Sequence, residues 1–128
     1  PIAIALYPSV AFGPEAREYH RAEMIYAVLD TPPGVRTRLG VDDQAVLQAA
    51  AALAQGDQGP ARTLVTDALQ EQLMLIGEPD EVGQRLAALA REHQPDSIGL
   101  AIVQPDMADG LRDAARALSV VRQQAAAP

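Results

Sequence analysis

Two short segments of this chain are apolar on both of their alternating faces: Ile2-Ala3-Ile4-Ala5-Leu6-Tyr7, and Ile98-Gly99-Leu100-Ala101-Ile102-Val103. A strand with one wet face shows a polar residue at every second position. A strand apolar on both faces needs cover on both sides, which is the condition inside a parallel sheet flanked by helices. Buried parallel strands are therefore expected at 2–7 and 98–103. Leu73-Met74-Leu75-Ile76, ended by Gly77, reads as a third at 73–76.

The intervening sequence reads as helix. Gly13-Pro14-Glu15 opens one, with proline suited to a first turn and an acid at the positive end of the dipole. Tyr19, Ala22, Ile25, Tyr26 and Leu29 fall on one face of it, and Thr31-Pro32-Pro33-Gly34 stops it. Asp42 or Asp43 caps a second helix that runs to about Gln55 with Val46, Ala50 and Leu53 inward. A third, from Pro60 to about Gln70, carries Leu64, Ala68 and Leu69. Pro79-Asp80-Glu81 begins the clearest helix, with the stripe Val82, Leu86, Leu89, Ala90 and an end at His93-Gln94-Pro95. Asp106 or Asp109 caps a last helix carrying Leu111, Ala115 and Leu118. The order is strand, long helical stretch, strand, helix, strand, helix. Its later half repeats the β-α unit of parallel α/β folds.

The chain's 128 residues suit a single domain or a fragment of one, spanning 1–128. Hydrophobic residues make up 48% and aromatics only 3%, so the core must be aliphatic. The absence of cysteine excludes a disulfide scaffold, a thiolate metal site and a cysteine nucleophile. A net charge of −7 argues against a nucleic-acid partner, because phosphate backbones are gripped by excess positive charge. No apolar run has the roughly 18 residues of a membrane span, and no basic-then-apolar leader opens the sequence. The expectation is a cytoplasmic protein without membrane contact.

Chemistry-bearing residues are few. His20 and Glu23 lie one helical turn apart, but no second pair completes a metal site, and none is expected. His93 sits at a helix end, where it complements the dipole. Arg36 and Arg38 are placed either to grip a substrate anion or simply to be solvated in a loop. The sequence lacks G-x-G-x-x-G, G-x-x-x-x-G-K-[ST] and G-x-S-x-G. Gly77-Glu78-Pro79-Asp80 joins a strand end to a helix start, where N–H groups can face an anion; its two acids favour plain helix initiation instead.

From Gln55 to Leu118 the chain resembles the C-terminal part of the luciferase-like flavin-dependent monooxygenase family. The residues that carry the resemblance are Gly56-Asp57, Leu64-Val65-Thr66-Asp67-Ala68-Leu69, Leu75-Ile76-Gly77-Glu78-Pro79-Asp80-Glu81-Val82, Arg85-Leu86, and the strand Ile98 to Val103. The first strand and the Tyr19–Leu29 helix are similar to that family's sixth strand and the helix after it. Two positions depart from the family pattern: Glu78, where Thr, Ser or Asp is usual, and the neighbourhood of Gln94, where a glycine is usual.

The resemblance implies an α/β fold that is part of a (β/α)8 barrel, its last three strands with their helices. It implies an oxidoreductase that uses FMN or a deazaflavin coenzyme on a small organic substrate, the loop gripping the cofactor phosphate preceding the first strand seen here. Barrel enzymes work at the C-terminal ends of strands, which points to Tyr7 and Ser9, Gly77 and Glu78, and Gln104 as pocket walls for cofactor or substrate. No residue is assigned a catalytic role. Three strands cannot close a barrel, so an N-terminal barrel half or a second copy of the chain is expected as partner, the latter giving a homo-oligomer. Two other readings stand beside this one. Small tautomerases are similar in length and in opening with proline at a buried strand, so that Pro1 would be the catalytic amine. A non-catalytic remnant that only packs against a partner is the other.

Overall fold

The computed structural model describes residues 2–126. In chain order its elements are β1 (Ala5–Leu6), β2 (Ser9–Phe12), α1 (Gly13–Tyr19), α2 (Met24–Asp30), α3 (Pro33–Arg38), α4 (Asp43–Ala54), α5 (Gly59–Leu64), α6 (Asp67–Leu73), β3 (Leu75–Gly77), α7 (Pro79–His93), β4 (Ser97–Ile98), β5 (Ala101–Ile102) and α8 (Met107–Ala126). They form two compact units. One holds the residues up to Tyr19 and those from Met74 onward; the other is His20–Leu73.

The first unit is a parallel α/β layer. β1 pairs with β4, and β2 pairs with both β3 and β5, all parallel. The strand expected at 2–7 is seen only from Ala5, is interrupted, and continues through Ser9–Phe12 beyond Pro8; it is also not buried as expected, since residues 2–5 and 7 are exposed and the buried part is Val10–Phe12. The expected strand at 98–103 is likewise seen as Ser97–Ile98 and Ala101–Ile102. The strand expected at 73–76 is seen at Leu75–Gly77, Leu73 being the last residue of α6. The interruption has a simple cause. The register is constant, Ala5↔Ser97, Leu6↔Ile98, Ser9↔Ala101 and Val10↔Ile102, so the two short pairs are one ladder. Within it Gly99 donates to Leu6 O, Ala101 to Pro8 O and Val103 to Val10 O. Pro8 accepts but has no N–H to return, and one rung is lost there.

In a βα barrel, strands adjoin in chain order, which would put residues 75–77 between the other two. The observed order is β3-β2-β5, with the first long strand in the middle. The fold is therefore α/β with parallel strands, consistent with part of a TIM-type fold, and the described strands do not by themselves close a barrel.

Val10, Phe12 and Leu75 pack with Val82 and Leu86 of α7 and Ala114 and Ala117 of α8. The two helices run in the same direction, as the pairs Asp80–Arg116 and Arg91–Gln124 show. Gly83 explains the closeness of their packing: a Cβ there would lie 2.7 Å from the Ala117 carbonyl oxygen and 2.7 Å from Val120 Cβ. The closest approach to α8 is thus made by a glycine against Ala117 and Val120. Gly110, Ala114 and Ala117 of α8 are buried, whereas Leu111, expected inward, is 58% exposed.

The His20–Leu73 unit is all helix. Its core includes Ala22, Ile25, Val28, Val46, Ala61, Val65 and Leu69. Asp42 caps α4, accepting from the Ala45 N–H at 2.8 Å. Three expectations are corrected here. The helix from Gly13 breaks at residues 20–23 before α2 begins, and Tyr26 is exposed rather than inward. The Pro33-Gly34 stop opens the short helix α3, because proline at a first helical turn needs no N–H partner. The helix expected over 60–70 is two, since Thr66 accepts from the Leu69 N–H and starts α6.

Candidate functional site

Parallel strands bring their carboxyl ends to one edge, and in the first unit three of them end together. Phe12, last in β2, stands in register with Gly77, last in β3. On its other side the Phe12 N–H donates to Gln104 Oε1 at 3.1 Å, and Gln104 Nε2 donates to the Phe12 carbonyl at 3.2 Å. Gly77, Glu78 and Gln104 are thus gathered around Phe12. Glu78 is the residue before α7, and its N–H donates to the Glu81 carboxylate at 3.2 Å.

Tyr7 and Ser9 are not at this edge. They were expected after the first strand; the strand extends to Phe12, so both lie back along the ladder. Side chains alternate along a strand, and Val10 and Phe12 face the helices, so Tyr7 and Ser9 occupy the opposite face. Ser9 is opposite Ala101, and the Tyr7 ring lies against Gly99, a position where any Cβ would collide with it. Tyr7 remains 71% exposed. That face is uncharged along Ala5, Tyr7, Ser9, Gly99 and Ala101.

Electrostatics at the carboxyl edge are set by helix starts. The first turns of α1, α7 and α8 carry Glu15, Asp80 with Glu81, and Asp109, each at the positive end of a helix dipole. Asp106 accepts from the Asp109 N–H at 2.9 Å and caps α8. Asp80 accepts two bonds from the Arg116 guanidinium, both 2.7 Å. Hydrogen bonding from Arg116 holds the Asp80 carboxyl below its ordinary value, that residue's charge adding to the effect and loss of water opposing it. The dipole ends are therefore already compensated by the protein's own acids, and the Gly77-Glu78-Pro79-Asp80 turn acts as a helix start rather than an anion cradle.

The other candidates resolve into structural roles. Arg36 donates to Leu29 O, Thr31 O and Asp43, tying the end of α2 to the start of α4. His20 lies 3.9 Å from Glu23 on the surface. Among the described residues no group of three or more histidine or acidic side chains is placed to hold a metal ion. None of the described helices is long and apolar enough to cross a membrane. Pro1, the amine of the tautomerase reading, lies outside the described residues. Sequence reasoning missed Phe12 as the centre of the edge, because Pro8 looked like the end of a strand.

The first unit is of the parallel α/β class, with its strand ends and helix starts collected at one edge. No family model matches the chain, and no curated protein matches it in sequence. Among solved structures it is similar to the coenzyme F420 dependent tetrahydromethanopterin reductase from Methanopyrus kandleri, with a TM-score of 0.68 and 24% sequence identity. The match covers 88% of this chain and 33% of that one, so the chain spans about a third of its neighbour's length. The likeness is one of fold.

Proposed function

We propose that this chain is the C-terminal part of a deazaflavin-dependent oxidoreductase of the luciferase-like kind, acting on a small organic substrate. The observation that carries the reading is the structural likeness to a reductase that is dependent on coenzyme F420, over 88% of the chain. The parallel strands ending at a common edge agree with it, as does the sequence resemblance around Leu75–Val82. A reduced deazaflavin would supply a hydride to the substrate.

The described residues fit one portion of such a cofactor and not another. The uncharged face of Tyr7, Ser9, Gly99 and Ala101 suits a flat ring, and in this reading Tyr7 and Ser9 are pocket walls, with Gly77, Glu78 and Gln104 at the rim. The acids at the starts of α1, α7 and α8 do not suit a phosphate. In this reading the anion grip belongs to residues outside this chain, in an N-terminal barrel half or a second copy. The test is to express the reading frame that encodes Pro1–Pro128 from its own start codon and titrate the product with reduced deazaflavin coenzyme and with reduced FMN. Saturable binding of the deazaflavin is the expected result. Binding of FMN alone would shift the cofactor, and binding of neither would overturn the proposal.

A further inference from the structure

The ladder between residues 4–12 and 96–104 has a fixed rhythm. N–H groups of Ser97, Gly99, Ala101 and Val103 donate to the carbonyls of Ile4, Leu6, Pro8 and Val10. The next donor in that series is residue 105, and its acceptor is the Phe12 carbonyl. Residue 105 is proline, which has no N–H. The ladder should therefore stop one rung short of the carboxyl edge, leaving the Phe12 carbonyl without its donor, while the acceptor that the same alternation gives the Phe12 N–H is the Val103 carbonyl. The Gln104 side chain meets both groups of Phe12: its Nε2 stands in for the missing N–H of Pro105, and its Oε1 takes the Phe12 N–H. A side-chain amide has the donor and acceptor of a peptide group, and here it serves as one.

We propose that Gln104 is a positioning residue for the site: its amide replaces the rung that Pro105 removes and sets the geometry of the carboxyl edge. Parallel α/β folds, open or closed, bind ligands at the carboxyl ends of their strands. Phe12 and Gln104 stand at that edge, at the end of the β2 and β5 pair. The amide oxygen and nitrogen each hold Phe12, which ties Gln104 to the strand end, so its proposed effect on the site passes through the strands. This role deepens the function proposed above, since it takes the carboxyl edge as the site.

Three variants test it: Gln104→Met, Pro105→Ala, and the two combined. In the 128-residue chain, Gln104→Met should speed hydrogen exchange of the Phe12 amide about tenfold, the effect of losing one or two hydrogen bonds. Exchange at Gly77, across Phe12 and untouched by Gln104, should rise with it, while exchange at Ile25 in the separate helical unit stays put. In the double variant the backbone N–H restored at position 105 can donate to the Phe12 carbonyl and continue the ladder, in which the Phe12 N–H meets the Val103 carbonyl, so protection of Phe12 should largely return. In the full reading-frame product, reduced deazaflavin should bind about tenfold more weakly to Gln104→Met and recover in the double variant, a change equivalent to the loss of one such bond. A direct ligand contact predicts weakened binding with unchanged Phe12 exchange and no rescue, and that result overturns the proposal. Unchanged exchange at both Phe12 and Gly77 overturns it as well. If the parent protein binds no cofactor, the proposed function falls, while the exchange pattern still decides the role of Gln104.

Discussion

Gly83 is the position at which one added methyl group should report most on this fold. In an isolated helix, glycine to alanine is a gain of about 1 kcal/mol, from lower backbone entropy in the unfolded chain and better helix propensity. In α7 the added Cβ would meet the Ala117 carbonyl oxygen and Val120 Cβ, each at 2.7 Å. A change of rotamer does not move the Val120 Cβ, and the Ala117 carbonyl is backbone in the neighbouring helix, so both can move only with α8. Overpacking of this kind costs about 1–3 kcal/mol. Set against the propensity gain, Gly83→Ala should destabilise the protein by up to about 2 kcal/mol net, a fall in Tm of up to about 6 °C. Gly34→Ala is the matched control, because nothing lies within 4 Å of a Cβ at that helical position. It should be neutral or slightly stabilising. Urea denaturation followed by circular dichroism measures both. If Gly83→Ala proves as stabilising as Gly34→Ala, α7 and α8 do not cross at Gly83.

Asp80 provides a pH signature. Its folded value is held below the unfolded carboxylate value of about 3.9, so the Arg116 pair contributes stability that is fully present above about pH 3.9 and is lost as pH falls through the lower folded value. Arg116→Gln should remove that acid-side slope; parallel loss of stability in parent and variant as pH falls below about 3.9 would refute the assignment. Gln94 holds a left-handed conformation, φ 46° and ψ 53°, at the end of α7. Gln94→Gly should gain about 0.5–1 kcal/mol in the same urea assay, and a loss would show that the Gln94 side chain matters there. Ile2, Ile4 and Tyr7 are 91%, 53% and 71% exposed. The 128-residue chain is expected to self-associate in sedimentation equilibrium, less so as Ile4→Glu; a monomer that binds no apolar dye would count against an uncovered interface.

Much of this fold was legible from local pattern. Apolarity on both faces marked residues 2–7 and 98–103 as parallel strands, and both segments do pair in parallel, but the burial that the pattern predicts is absent at 2–5 and 7 and only partial at 98–103. Asp42, Asp106 and Pro79 marked helix starts because a cap or a fixed φ acts within one turn. Gln94, near which the resemblance implies a glycine, adopts a left-handed conformation at the end of α7.

Tertiary structure decided what depends on partners far away in sequence. Pro8 looked like the end of a strand, yet in a parallel ladder it only forfeits one donor, and the opposite strand carries the pairing on to Phe12. The order β3-β2-β5 has no local signal, since the same residues would pattern identically on either side of β2. Which face of α8 is buried depends on another helix: Ala117 lies against Gly83 of α7 and is buried with Gly110 and Ala114, while Leu111, which periodicity alone would turn inward, is exposed. Gln104 is the sharpest case. In one dimension it is a polar residue after an apolar run; only the register, which places its amide against Phe12 and a proline where the donor should be, makes it the last rung of the sheet.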